Sequence, residues 1–479
     1  MTGGDENPLA LLPEVLLAGS AVIGLLLGAW LPRDRQWPVG LLAAGACLAG
    51  VVAAAVQAGL AAPTTAFDGA FAVDAVTTTA RIVVLGASLA LLALVVGASR
   101  GHRRETEYYV LVQLAACGAL MLAGAADLLT LAAAYLLASV PGYALAGFAR
   151  DVGGTEAALK YFVVGAFLGV VLLTGVTLLL AAGRATGYPA LREALPDAPG
   201  ALVTVGLVAL LAGLLFKSGA VPGHFWVPDA VQGAPPPVAA LLTTLPKAGA
   251  LAALFRLAAG PLAGLPTASV PWPGLLAVLA AATMTLGNLA AFFQDDVRRL
   301  LAYSTISQAG YLLIPVAMAG SSELSQRALL YYVAGYAITN LGAFAVVCAL
   351  PDARRIRDYR GLAGHRPALV GALLVCLLGL VGTPPTAVFL GKLEAFGAAV
   401  DGGYAWLAAL AVANTVASLF YYLRWLAPAL LGRGRAGAGP GLGLGPGPVR
   451  PAVLTAYATA LGSLALGLAG GPVLALLDG

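Results

Sequence analysis

The chain has 479 residues, 60% of them hydrophobic and only 10% charged, with a mean hydropathy of +0.91. A soluble globular chain has about 25% charged residues, so this polypeptide cannot clothe a water-facing surface and is read as a membrane protein. The net charge of +4 is spread over loops, which argues against nucleic acid as a partner. Cys47, Cys117, Cys348 and Cys376 sit singly in apolar runs, so a disulfide framework, a zinc site and an iron–sulfur cluster all lack support.

A helical span needs about 20 mostly apolar residues to cross roughly 30 Å of hydrocarbon. Fourteen such runs are predicted, at 9–30, 38–60, 74–98, 108–126, 128–149, 157–182, 200–221, 236–257, 271–292, 300–320, 327–350, 367–390, 402–426 and 451–476. The first follows the acidic residues Asp5 and Glu6 and contains Pro13 and Glu14, so it reads as a retained helix rather than a signal peptide. With both termini outside the cytoplasm, the loops after the odd-numbered spans carry the arginine clusters. These include Arg33/Arg35, Arg100/Arg103/Arg104, Arg150, Arg298/Arg299, Arg354 to Arg366 and Arg433/Arg435/Arg450. That alternation is the positive-inside pattern in phase with fourteen spans. The stretch 431–450, LGRGRAGAGPGLGLGPGPVR, is a glycine/proline connector without a nucleotide-binding signature.

Function must therefore lie in the helices. The chain has 22 arginines and four lysines, and Lys217, Lys247 and Lys392 fall inside or at the end of apolar runs. A charge at membrane depth costs several kcal/mol or more and is expected to face a bundle interior or wet cavity. Lysine suits proton transfer better than arginine, because burial can bring lysine to neutrality while arginine stays charged. Each lysine also admits a plainer role: Lys217 snorkelling, Lys392 pairing with Glu394 at the membrane edge, and Lys160 anchoring an interface. Lys247 is near mid-span after Pro246, which frees a backbone carbonyl. His224, in VPGHFWVPDAVQGAPPP, either passes protons between Lys217 and Lys247 or hydrogen-bonds exposed backbone at the turn. Asp229 lies at a predicted helix start and reads as a cap.

Proline and glycine interrupt the seventh-to-eighth region (GAPPPVAALLTTLPK) and the twelfth span (GTPPTAVFLGK). Broken helices beside charged side chains are a transporter device. Lys217 and Lys392 lie five spans apart, and an odd spacing reverses orientation, so spans 4–8 and 9–13 are expected to be inverted repeats.

These segments carry a resemblance. FKSGAVPGHFWVPDAVQGAPPPVAALLTTLPKAGALAALFR, NLAAFFQDDVRRLLAYSTISQAGY and GTPPTAVFLGKLEAF resemble the antiporter-like membrane subunits of proton-pumping NADH:quinone oxidoreductase. LLPEVLLAGSAVIG, FAVDAV and EYYVLVQLAACGALMLAGAADLLTL favour the subunit N branch, the counterpart of mitochondrial subunit 2. The resemblance implies an all-α polytopic membrane fold of about 14 helices, with two inverted five-helix repeats and broken helices 7 and 12. Its parts would be 1–107 (helices 1–3), 108–257 (first repeat), 258–426 (second repeat) and 427–479 (linker and helix 14). It assigns Lys217, Lys247 and Lys392 to a proton-relay axis with His224, with Tyr135, Glu394 and Asp229 as candidate modifiers. It also implies no cofactor or metal in this chain, with flavin and iron–sulfur clusters in partner subunits and quinone handled by neighbouring subunits. Its place would be a bacterial plasma membrane, among other membrane and peripheral subunits.

One departure stands out. Where the family pattern reads LELLSLPLY, this chain has AYLLASVPGY, which puts Tyr135 in the place of a glutamate that pairs with the first lysine. Val231-Gln232 before GAP, Gln308 and Gly223 also depart from the family's usual Tyr-Glu, histidine and phenylalanine. Asp127 and Asp151, the nearest acids, fall near the ends of the fifth span. Two other readings remain at this point: a subunit of a cation/proton antiporter or membrane-bound hydrogenase complex, and a structural spacer whose pumping is impaired by Tyr135.

Overall fold

The computed structural model describes residues 7–60, 63–99, 102–266, 270–431 and 449–477. In chain order the helices are α1 (Leu12–Trp30), α2 (Trp37–Leu60), α3 (Ala75–Ser99), α4 (Glu105–Gly124), α5 (Leu128–Ala146), α6 (Val152–Gly183), α7 (Tyr188–Ala194), α8 (Gly200–Ser218) and α9 (Trp226–Gly233). They continue with α10 (Pro236–Ala259), α11 (Trp272–Ala291), α12 (Val297–Ala317), α13 (Leu324–Ala349), α14 (Pro367–Val381), α15 (Ala387–Asp401), α16 (Ala405–Leu431), α17 (Arg450–Leu468) and α18 (Gly470–Leu477). One hairpin, β1 (Thr64–Ala66) with β2 (Phe71–Val73), departs from the all-helical expectation. It closes the α2–α3 connection, where the chain lies outside the helical spans and its backbone groups need partners.

Among the described residues, thirteen helices are long and apolar enough to cross a membrane, and the protein is a polytopic membrane protein. The expectation was fourteen spans, with helices 7 and 12 broken. The difference is the twelfth: residues 367–390 do not form one helix but divide into α14 and the start of α15, each of 15 residues. At 1.5 Å per residue each covers about 22 Å, short of a full crossing. The last run also divides, into α17 and α18. The expected Gly/Pro connector at 432–448 lies outside the described residues.

The helix starts follow from local chemistry. Asp127, Asp151 and Asp296 precede α5, α6 and α12, and their carboxylates accept from backbone N–H groups two or three residues on. These side chains satisfy donors that a helix leaves unpaired in its first turn. α10 and α12 are the most enclosed spans, with α10 buried along its whole apolar window. A helix enclosed on all sides presents apolar or small residues all round, and the polar exceptions in these two, among them Thr243 and Lys247 of α10 and Ser304, Thr305 and Gln308 of α12, bond to groups inside the bundle.

Two ion pairs fasten α1–α3 together and to the rest. Arg81 of α3 donates through Nε and Nη2 to the two oxygens of Glu14 on α1, both at 2.8 Å, with both side chains buried. Its Nη1 reaches Gln57 of α2 at 3.0 Å. Asp74, just before α3, accepts from Arg256 of α10 at 2.7 and 2.8 Å. Burial alone would raise the Asp74 carboxyl, but the Arg256 guanidinium and Thr77 outweigh it and hold the group below the usual carboxylate range.

Candidate functional site

The seventh and twelfth spans stop and restart in the same way. α8 ends at Ser218 and α9 begins at Trp226; α14 ends at Val381 and α15 begins at Ala387. The interruption in the first case is GAVPGHF, upstream of the GAPPP segment singled out in the sequence. GAPPP is instead the α9–α10 connection, and Pro246 lies within an uninterrupted α10. At each stop a glycine enters the left-handed region, Gly219 at φ +72° and Gly382 at φ +91°. Gly219 N donates to Phe216 O (3.0 Å) and Ala220 N to Leu215 O (2.8 Å). Gly382 N donates to Gly379 O (2.8 Å) and Thr383 N to Leu378 O (3.1 Å). These paired bonds satisfy two of the terminal carbonyls and leave the last ones free.

The free carbonyls are where two of the three lysines lie. Lys247 Nζ, from α10, donates to Ser218 O and to Thr305 O of α12, the latter at 3.2 Å. Lys392 Nζ, from α15, donates to Val381 O at 2.9 Å and to Thr415 Oγ1 of α16 at 3.2 Å. An ammonium at a helix C-terminus meets the negative end of the peptide dipoles, and in a membrane such half-helix ends stabilise cations. The glycines are needed for this approach. A Cβ on Gly219 would stand 3.0 Å from Lys247 Nζ, and one on Gly382 would stand 2.9 Å from Lys392 Cδ.

Lys217, one residue before the end of α8, donates to Ser139 Oγ of α5 at 2.5 Å and lies 5.1 Å from the centre of the Tyr135 ring. Its neighbours there are neutral, a hydroxyl and an aromatic face that attracts a cation weakly. Among the described residues, none of Lys217, Lys247 and Lys392 forms an ion pair with a carboxylate. The family pattern can also be set by its Ser-Leu-Pro on Ser139-Val140-Pro141. That register puts Leu136 five residues before the proline, and Leu136 faces outward, 48% exposed. Tyr135 is the residue beneath the lysine, and neither residue carries a charge.

Between the lysines runs a set of buried hydroxyls and amides centred on α12, which sequence reading did not assemble. Thr305 Oγ1 bonds Tyr336 OH at 3.1 Å, and Tyr336 OH donates to Thr243 O of α10 at 2.7 Å. Gln308 donates to Leu380 O of α14 at 2.8 Å and accepts from Tyr332 OH at 2.7 Å. Thr415 Oγ1 donates to Tyr311 OH at 3.2 Å, and the Tyr311 ring centre is 4.0 Å from Lys392 Nζ. The signal was present as Ser304, Thr305, Ser307, Gln308 and Tyr311 at helical spacing in one span.

Other expected residues take different places. His224 lies in the α8–α9 break against Phe225; its Nδ1 is buried without a hydrogen-bond partner, and it bonds no lysine. Asp229 is not a helix cap. It bridges Lys160 of α6 (2.8 Å) and Arg299 of α12 (2.7 Å), because α9 lies between those helices. Glu394 pairs with Arg327 at 2.9 Å rather than with Lys392, since the two residues are 200° apart around α15 at 100° per residue. Lys160 also pairs with Glu156 at 2.8 Å and is about half exposed, which fits an anchor at an interface. Asp127 and Asp151, as helix caps, are not available to Lys217. Among the described residues no group of three or more His, Cys, Asp or Glu side chains is arranged to hold a metal.

Interrupted spans whose half-helix ends hold cations are a membrane-transporter device, and residues 125–418 match the family described as NADH:quinone oxidoreductase/Mrp antiporter, TM. Subunit N 1 of NADH-quinone oxidoreductase from Streptomyces griseus subsp. griseus is 55% identical over 425 residues, 89% of each chain. Subunit N from Mycobacterium sp. strain JLS is 49% identical over 468 residues, covering 98% of this chain and 97% of that one. A chain of respiratory complex I from Thermus thermophilus with bound aureothin superposes with a TM-score of 0.82 at 34% identity, covering 98% of this chain and all of that one. The chain belongs to the subunit N family of NADH:quinone oxidoreductase.

Proposed function

We propose that this chain sits in the membrane arm of a NADH:quinone oxidoreductase and moves protons along Lys217, Lys247 and Lys392. Quinone reduction in neighbouring subunits would shift the charge or hydration at one end of this axis. The lysines would then take up a proton from the inside and release one outside. On this reading spans 4–8 and 9–13 are the two inverted repeats, both termini face away from the cytoplasm of a bacterial cell, and flavin and iron–sulfur clusters belong to partner subunits. His224 would serve as an additional carrier in the first break.

The observation that carries this reading is the placement of Lys247 and Lys392 on the free carbonyl ends of two interrupted spans. A buried ammonium so held can exist charged without a carboxylate partner, and loss of its proton leaves no unpaired acid behind. The hydroxyls of α12 offer short steps between the two sites.

The test is proton translocation per electron in vesicles carrying the assembled complex. Lys247→Ala and Lys392→Ala should lower the proton-to-electron ratio more than the rate of NADH:quinone electron transfer. Ratios equal to those of the parent in both variants would sink the pumping role. A second reading, a spacer subunit with weakened pumping, draws on the neutral surroundings of Lys217. In that case the two variants would behave as the parent while the complex stayed assembled.

A further inference from the structure

A groove of about 920 Å³ runs down the outside of the bundle between α3 and α13, closed at its far side by α17 and α18. Its walls include Ile82 and Gly86 of α3, Ala334 and Ile338 of α13, and Leu466 and Leu476. These elements are membrane spans or flank them. Water gains no partners in an apolar trough at that depth, so the trough must be filled by lipid or protein.

The end of the groove nearest the hairpin is different. Gln57, Asp74, Thr78 and Thr79 line it. Most threonines in the spans return their hydroxyl to the carbonyl four residues back, as Thr174, Thr177, Thr204 and Thr339 do. Among the described residues the hydroxyls of Thr78 and Thr79 have no protein partner. Asp74 already pairs with Arg256, so this end is close to neutral while offering two free donors and the remaining lone pairs of a carboxylate. From Thr78 to Ala90, the deepest α3 residue of the groove, is about 18 Å at 1.5 Å per residue, somewhat more than one leaflet of a roughly 30 Å hydrocarbon core.

We propose that this groove binds one phospholipid with a zwitterionic head group bearing a primary ammonium. The acyl chains lie along Gly86 and Ala334, the phosphate accepts from Thr78 and Thr79, and the ammonium meets Asp74. Both signs are needed at the rim. Arg256 is already committed to Asp74, so an anionic head group would bring a net charge that no lining residue balances, and a lipid without a phosphate would give the threonine hydroxyls no charged acceptor.

Gly86 offers the test, because a Cβ added there meets nothing within 4 Å and its φ lies outside the left-handed region. The complex is purified in mild detergent from cells carrying the parent chain, Gly86→Phe, or Thr78→Val with Thr79→Val, and its lipids are counted by mass spectrometry. Gly86→Phe should lose one phosphatidylethanolamine per complex. The paired valine variant should keep a lipid but exchange phosphatidylethanolamine for phosphatidylglycerol more readily than the parent. A photoreactive side chain at Ile82 should label phospholipid. Unchanged lipid content in Gly86→Phe, a preference for phosphatidylglycerol in the parent, or labelling of a neighbouring subunit's helix at position 82 would each overturn the proposal.

Discussion

Lys247 and Lys392 do the same thing from different addresses: each places its ammonium on the last carbonyl of an interrupted half-helix, Ser218 O and Val381 O respectively. Counted from the left-handed glycine of each break, Ser218 and Val381 occupy one position and Asp229 and Lys392 another. The second break therefore supplies its own lysine from α15. The first takes its lysine from α10, and its α9 carries Asp229 in the matching place, turned to Lys160 and Arg299.

The break glycines set the distance between lysine and carbonyl. Gly219→Ala and Gly382→Ala add a Cβ within 3.0 Å of the lysine side chain and put a non-glycine residue at positive φ, at a cost of about 1–2 kcal/mol from backbone strain alone. Both variants should assemble less stably and lower the proton-to-electron ratio. Gly45→Ala, in open space on α2, is the control and should match the parent in thermal inactivation and pumping.

Tyr135 lies under Lys217. Tyr135→Glu puts a carboxylate within reach of that ammonium, and the complex should still assemble, because the new charge is paired rather than isolated. Native gels and NADH oxidation of isolated membranes check assembly. Loss of the complex would count against Lys217 facing this side of α5.

Glu14 and Arg81 form a buried bidentate pair. Removing one partner leaves the other charge buried, at a cost of about 3–5 kcal/mol. Glu14→Leu or Arg81→Met alone should reduce the amount of assembled complex strongly. The double variant should recover much of the loss, because an apolar pair of similar volume needs no compensation. A double variant as poor as the worse single one would show a role for the charges themselves.

Asp74→Asn weakens the grip of α3 on Arg256. The Asp74 carboxyl is held below its ordinary value, so its contribution is fully present above the unfolded value and disappears only as pH falls through the folded one. The difference in thermal inactivation between parent and variant should therefore stay constant between about pH 5 and about pH 8. A difference that shrinks across that range would mean that Asp74 is not held ionised by Arg256.

Much of the architecture was legible in the chain itself. A span has to satisfy its own backbone hydrogen bonds and its own transfer into hydrocarbon, so each run of apolar residues announces itself locally, wherever the others lie. The three lysines stood out for the same reason: a charge inside such a run is conspicuous without knowledge of its neighbours. Partners were another matter. Lys217 meets Ser139 from 78 residues away, Lys247 meets Ser218 from 29, and Asp229 meets Arg299 from 70. Pro246 looked like a break yet lies in a continuous α10, because neighbouring helices enclose it, while the seventh span, expected to end at 221, stops at Ser218 before the left-handed Gly219, and the helix α9 restarts at Trp226 inside what had read as a connection. Sequence determined which groups are out of place in a membrane; only the packing of α5, α8, α10, α12 and α15 decided what each one touches, since a hydrogen bond depends on where two distant segments meet in space.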